Sequence, residues 1–202
     1  MLKPIRALQI LLVLFVSLFL ILGVQYFYYE GFTAHAAAAT PQEQVLSLTP
    51  SPSPSIRVYF SPHGGCTQAI VAAIYTAQSS ILVQAYSFTS APIADALVKA
   101  HRRGVDVRVI LDNSQRTEHY SSATFLVNSG IPVWIDGAHG IAHNKVMVID
   151  GAMVVTGSFN FTKAAEESNA ENLLLITSAG LASQYAANCR VHLAHSQPCR
   201  SR

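Results

Sequence analysis

Five polar residues stand in a fixed order in an otherwise aliphatic and β-branched stretch. They are His143, Lys145, Asp150, Ser158 and Asn160, within IAHNKVMVIDGAMVVTGSFN (Ile141–Asn160). An imidazole, an ammonium, a hydroxyl and an amide together suit a phosphoryl group. The imidazole can attack phosphorus or move a proton. The ammonium and the neutral donors can hold the non-bridging oxygens as charge builds on them. A like charge nearby favours an uncharged imidazole, whose lone pair is then free to attack.

The elements that must position these groups are legible in the same stretch. Val146–Ile149 and Met153–Thr156 read as two strands, and Asp150-Gly151 between two apolar runs is a hairpin signal. Side chains alternate along a strand, so His143 and Lys145 share a face, and Ser158 and Asn160 share a parity just past the second strand. These four are expected to converge at one end of the hairpin. Asp150 has the opposite parity and sits in the turn, so its part is expected to be mainly structural, although it belongs to the same pattern.

His143-x-Lys145-x4-Asp150-x6-Gly157-Ser158-x-Asn160 matches, without a gap, the signature of the phospholipase D superfamily. The chain resembles most the small single-motif bacterial endonucleases of that superfamily. The likeness extends through GSFNFTKAAEESNAEN and back to VYFSPHGGCTQAIVAAI and ILVQAYSFTS, covering roughly Arg57 to His195. It implies that His143 is a nucleophile forming a covalent phosphohistidine, with Lys145 and Asn160 on the phosphate oxygens and Ser158 either joining them or supporting the loop. It also implies that Glu171 orients the imidazole, because a carboxylate on the second ring nitrogen fixes the tautomer. Glu166 and Glu167, in a helix-like stretch, are expected to be solvated. Tyr86 and Phe88, in a loop after an apolar strand, fall near the active site in such relatives; either could stack on a base or belong to the core. No cofactor is implied.

The resemblance also bears on assembly. Two-step phosphodiester cleavage needs a nucleophile and a separate acid for the leaving oxygen. Superfamily members with two motifs supply two histidines, but this chain has one copy, and its other seven histidines lack the pattern. A symmetric homodimer is therefore expected, with the two His143 side chains facing across the two-fold axis.

The rest of the chain reads as an α/β fold, a mixed β-sheet flanked by helices. Ile56–Phe60, Ile81–Tyr86, Val105–Leu111, Ile131–Ile135 and Asn172–Thr177 are further strands. Thr67–Gln78, a segment capped at Ser90 and ended by Gly104, Ser122–Asn128, and segments from about Thr162 and Leu181 are helices. Strands alternating with helices argue for this class. Three regions follow: 1–36, a signal peptide or membrane anchor; 37–55, a Pro/Ser/Thr-rich linker; and 56–202, the catalytic domain. Lys3 and Arg6 precede the apolar run Ile10–Val24, so the domain is expected to be exported, cut free after Ala34-His35-Ala36 or anchored through this segment.

Thirteen basic against eleven acidic side chains exclude a globally basic nucleic-acid binder, so any such contact needs a local patch. His63-Gly-Gly-Cys66 has loose ligand spacing, but no second pair completes a tetrahedral set, and no metal site is expected. Cys189 and Cys199 could pair in an exported chain, leaving Cys66 odd. Cys189 also stands where such relatives carry a large aromatic. The leading expectation is a metal-independent, non-specific DNA or RNA endonuclease. Phospholipid head-group hydrolysis is the alternative, since the apolar segment places the site near a bilayer. An inactive membrane-tethered binding protein is the third reading, against which the intact motif stands.

Overall fold

The computed structural model describes residues 53–118 and 121–200, so the expected leader and nearly all of the linker lie outside the described residues. The elements run β1 (Ser55–Ser61), α1 (Cys66–Thr76), β2 (Ser80–Ala85), α2 (Ala91–Arg102), β3 (Asp106–Asp112), a 3-10 turn (Asn113–Arg116), α3 (Ala123–Asn128) and β4 (Val133–Asp136). They continue with β5 (Lys145–Ile149), β6 (Met153–Gly157), α4 (Lys163–Glu167), β7 (Glu171–Thr177), α5 (Ala179–His195) and β8 (Gln197–Pro198). All eight strands form one sheet in the order β1-β7-β6-β5-β2-β3-β4-β8. The β2–β3 and β3–β4 pairs are parallel and every other pair is antiparallel. The fold is thus the mixed α/β sheet anticipated. Among the described residues no helix is long and apolar enough to cross a membrane.

Alternation sets which layer each strand feeds. In β3, Val107, Val109 and Leu111 are buried while Asp106 and Arg108 are exposed. β5 is buried throughout, as a central strand covered on both faces must be. Its Met147 and Ile149 join Val155 and the inner faces of α1, α2 and α3 in the main core. Val146 and Val148 point the other way and, with Val154, meet Ala182, Leu181 and Tyr185 of α5.

Cys189 has a particular task on that second face. Its thiol donates to Gln84 Oε1 at 3.2 Å, both groups being buried. A small side chain here gives the one buried amide of β2 a partner, where a large aromatic would fill the space. Burial pushes the Cys189 thiol up to about 11. The disulfide weighed for Cys189 and Cys199 is not formed; all three cysteines are free. Cys189 faces the sheet from α5, whereas Cys199 follows β8 and packs beside the main core.

The three-residue turn between β5 and β6 has left-handed backbone at Asp150 (φ 54°) and Gly151 (φ 61°), the two central residues of a type I′ turn that the Ala152 N–H closes on the Ile149 carbonyl at 3.0 Å. The Asp150 carboxylate then does something its neighbours do not announce. It accepts from the backbone N–H groups of Gln78, Ser79 and Ser80 and from the Ser79 hydroxyl, at 2.8–3.0 Å. It thereby latches the α1–β2 connection to the hairpin. Burial opposes the charge, but these donors outweigh it and hold the carboxyl below the ordinary aspartate value. A depressed folded-state pKa stabilises the fold above the unfolded value, and that contribution is lost as pH falls through the folded value. Asp150→Ala should cost about 1–3 kcal/mol in urea denaturation. Asp150→Asn, which tolerates positive φ, should cost less and flatten the acid limb of stability against pH.

Candidate active site

Strand pairing brings the chemistry to one end of the sheet. Met147 pairs with Val155 and Ile149 with Met153, a register that sets Lys145 opposite Gly157. Gly157 in turn pairs with Leu173, two residues into β7 from Glu171. The start of β5, the end of β6 and the start of β7 therefore lie side by side. His143, Lys145, Ser158 and Asn160 come to that end, Glu171 joins them at the start of β7, and Asp150 lies at the other end of β5.

Within this end the residues differ in what holds them. Lys145 is 8% exposed. Its ammonium donates to the His143 carbonyl oxygen at 3.1 Å and lies 5.0 Å from the centroid of the Tyr86 ring. Burial lowers the Lys145 pKa, and the nearby Glu171 charge opposes that shift. With one hydrogen bond of a possible three, the ammonium keeps donors for a ligand. His143 is exposed, and its ring packs against Tyr86 with centroids 4.6 Å apart. No hydrogen bond to the His143 ring is formed among the described residues.

Behind His143 the backbone is anchored by a residue the sequence did not single out. The buried Asp112 carboxylate accepts from the Ala142 N–H at 2.7 Å and from the Ser114 N–H at 2.9 Å. Burial opposes its charge, but these bonds hold its pKa below the ordinary value. Tyr86 N–H donates to the Asn144 carbonyl at 2.8 Å, extending the β2–β5 pairing past the strand end.

The other half of the site is the Gly157–Asn160 turn. Ser158 N–H and Phe159 N–H both donate to the Asn172 carbonyl oxygen, at 3.1 and 3.2 Å. The Ser158 hydroxyl accepts from Asn172 N–H and Asn172 Nδ2, so it braces the turn against β7. Asn160 Oδ1 is buried with no hydrogen-bond partner, which costs about 1–3 kcal/mol unless a ligand or water meets it.

Several expected roles change. Phe88 is fully buried and stacks edge-to-face on Phe161, so it is core and no platform for a base. Tyr86 is spent on His143 and Lys145. Glu171 forms no bond to His143: its Oε1 accepts from Asn169 at 3.2 Å, and its charge acts on Lys145. Glu166 is no solvated acid, since it accepts from Gly65 N–H at 3.0 Å and Thr67 N–H at 2.7 Å and caps the start of α1. Cys66, in the same turn, is buried and its thiol is pushed up to about 11 by burial and by Glu166 and Glu171, so it is no reactive nucleophile.

One ligand set appears where none was expected. Asp136, His139, His192 and His195 gather with their ligand atoms within 4.8 Å of one another. The sequence signal is a pair of i,i+3 spacings, Asp136-x2-His139 and His192-x2-His195, neither of which includes His63 or Cys66. A cleft of about 870 Å³ is lined by Gln115, Glu118, Gln197 and Arg200, among others, and contains no motif residue.

The family described as cardiolipin synthase, PLD-like domain, matches residues 70–192. A phospholipase D of Rickettsia typhi is 39% identical over 164 residues, 80% of each chain. A mitochondrial cardiolipin hydrolase of Xenopus laevis is 33% identical over 156 residues, 72% of this chain and 74% of that one. Among solved structures, a phospholipase D family member named Nuc from Salmonella typhimurium superposes with a TM-score of 0.71 at 40% identity. That match covers 73% of this chain and 99% of the other.

Proposed function

This chain belongs to the phospholipase D superfamily and hydrolyses phosphodiesters, and from that premise we propose that it is a non-specific DNA or RNA endonuclease working through a phosphohistidine. The observation that carries this reading is a buried Lys145 ammonium with uncommitted donors beside an exposed His143 imidazole. That pairing offers an anion hold and a nucleophile on an open surface, where a polymer backbone can lie without entering a deep cavity.

In the first step a ring nitrogen of His143 bonds to phosphorus while the P–O bond to the leaving group breaks. The departing oxygen takes a proton from the His143 of a second copy. In the second step that histidine, now neutral, removes a proton from water; the water oxygen bonds to phosphorus and the P–N bond breaks. Both histidines return to their starting states. Lys145 and Asn160 hold the non-bridging oxygens, Ser158 keeps their turn in place, and Glu171 balances the Lys145 charge. A single motif and an exposed His143 support a two-fold dimer with the site at its interface. Residues 1–36 would carry the domain across the cytoplasmic membrane.

A phospholipid head group is the second reading. Ile141, two residues from His143, is 60% exposed, an apolar contact suited to a lipid surface. The relatives' printed names, phospholipase D and cardiolipin hydrolase, lean the same way. Labelled single- and double-stranded DNA and RNA, with cardiolipin and phosphatidylcholine vesicles in parallel, separate the two. Cleaved nucleic acid with intact lipid is the expected result. Released head group with intact nucleic acid would replace it with the phospholipase reading.

A further inference from the structure

Four side chains that the phosphodiester chemistry does not use converge at the β4 side of the sheet. Asp136 ends β4 and is fully buried. His139 lies in the loop that runs on to His143. His192 and His195 stand three apart on the last turn of α5, on one face of the helix. Three rings reach the same oxygen: His192 Nδ1, His139 Nδ1 and His195 Nε2 lie 2.7, 3.2 and 3.3 Å from Asp136 Oδ2. We propose that Asp136, His139, His192 and His195 form a four-coordinate site for a divalent transition ion of the zinc class.

The donor set and its spacing support this. Zinc with nitrogen and oxygen ligands at ~2.0–2.1 Å has ligand–ligand edges of about 3.3 Å in a tetrahedron. The three histidine–aspartate separations already lie near that edge, and no ligand pair exceeds 4.8 Å. Closing the widest pair takes shifts of about an ångström, within reach of side-chain rotation. Imidazoles with a single carboxylate favour zinc-like ions over calcium or magnesium, which take mainly oxygen. Without an ion, each of the three facing nitrogens must carry a proton to bond the carboxylate. With one, each proton resides on the outward ring nitrogen and the inward lone pairs bind metal.

Four protein ligands leave no open position, so the ion would be structural. Its place says what it would hold. β8 has only two residues and follows His195 almost at once, pairing with β4 through Gln197 and Pro198. The ion would fasten α5 and β8 to β4. It would also pin the loop to His143 at His139, upstream of the anchor that Asp112 provides at Ala142.

The test uses the full chain, purified without a polyhistidine tag, stripped with chelator, and titrated with Zn²⁺ and separately with Co²⁺. One ion per chain is expected, with visible Co²⁺ bands of four-coordinate intensity. The melting temperature should rise by about 5–10 °C at zinc 100-fold above Kd. His139 is 45% exposed in its side chain, so His139→Gln should fold, bind zinc at least about 100-fold more weakly and lose the thermal shift. His195→Gln should behave alike. A wild-type chain that retains no zinc and shows no thermal shift would leave only a hydrogen-bonded imidazole–carboxylate cluster and overturn the proposal. Undiminished zinc affinity in both variants would overturn it too, by placing the ion elsewhere. None of these readouts depends on which phosphodiester the enzyme cuts.

Discussion

His143→Ala should lower kcat by at least about 10⁴-fold, because in the proposed dimer one side chain serves as nucleophile, acid and base. The structure makes this a clean substitution. The ring is exposed and accepts no hydrogen bond among the described residues, so only its contact with Tyr86 is lost and unfolding free energy should change by no more than about 1.5 kcal/mol. Acid-quenched wild-type enzyme should retain label from a phosphorus-labelled substrate, and the variant none. Mixing wild-type and variant chains gives a sharper reading. If each site needs both histidines, an equal mixture of freely exchanging chains keeps about one quarter of the activity. If each chain works alone it keeps about one half, and the two-fold assignment fails.

Gly157→Ala should cost about 3 kcal/mol or more and take activity with it. Gly157 has φ +143°, and a Cβ there would collide with the Asn172 carbonyl oxygen. That oxygen already accepts from Ser158 and Phe159, so moving it breaks two hydrogen bonds and displaces the turn that carries Asn160. Gly151→Ala is the control. Gly151 has φ +61° with nothing within 4 Å of an added Cβ, so only the left-handed backbone penalty of about 1–2 kcal/mol applies. Urea denaturation at matched m-values compares them; equal losses would show that the Asn172 contact yields readily.

What the sequence disclosed follows from range. The hairpin, its Asp-Gly turn and the convergence of His143, Lys145 and Asn160 depend on parity over a few residues, and parity survives folding. The destination of Asp150 depends on Gln78–Ser80, and the cap supplied by Glu166 depends on Gly65 and Thr67, some hundred positions upstream. Local patterning has no access to either. Phe88 was ambiguous for a different reason: an aromatic after a buried strand has the same spacing whether it lines a site or fills the core, and only Phe161 decides. The Asp136 cluster joins two short-range pairs whose meeting is set by α5 crossing back to β4. Each pair alone looks like ordinary helix and loop polarity.

The sheet order carries one more consequence. β1, which opens the domain, and β8, which follows its last helix, occupy opposite edges. Seven inter-strand steps at about 4.8 Å separate them by on the order of 33 Å. Rewiring the domain by joining these ends and opening it elsewhere would need a bridge of roughly ten extended residues, laid across a face that a helix already covers. The same separation favours paired probes. A donor and acceptor dye at the two edges would sit near the steep part of a typical energy-transfer curve. Loss of the outermost strands would then register as an optical change before the central pair, β5 and β2, gave way.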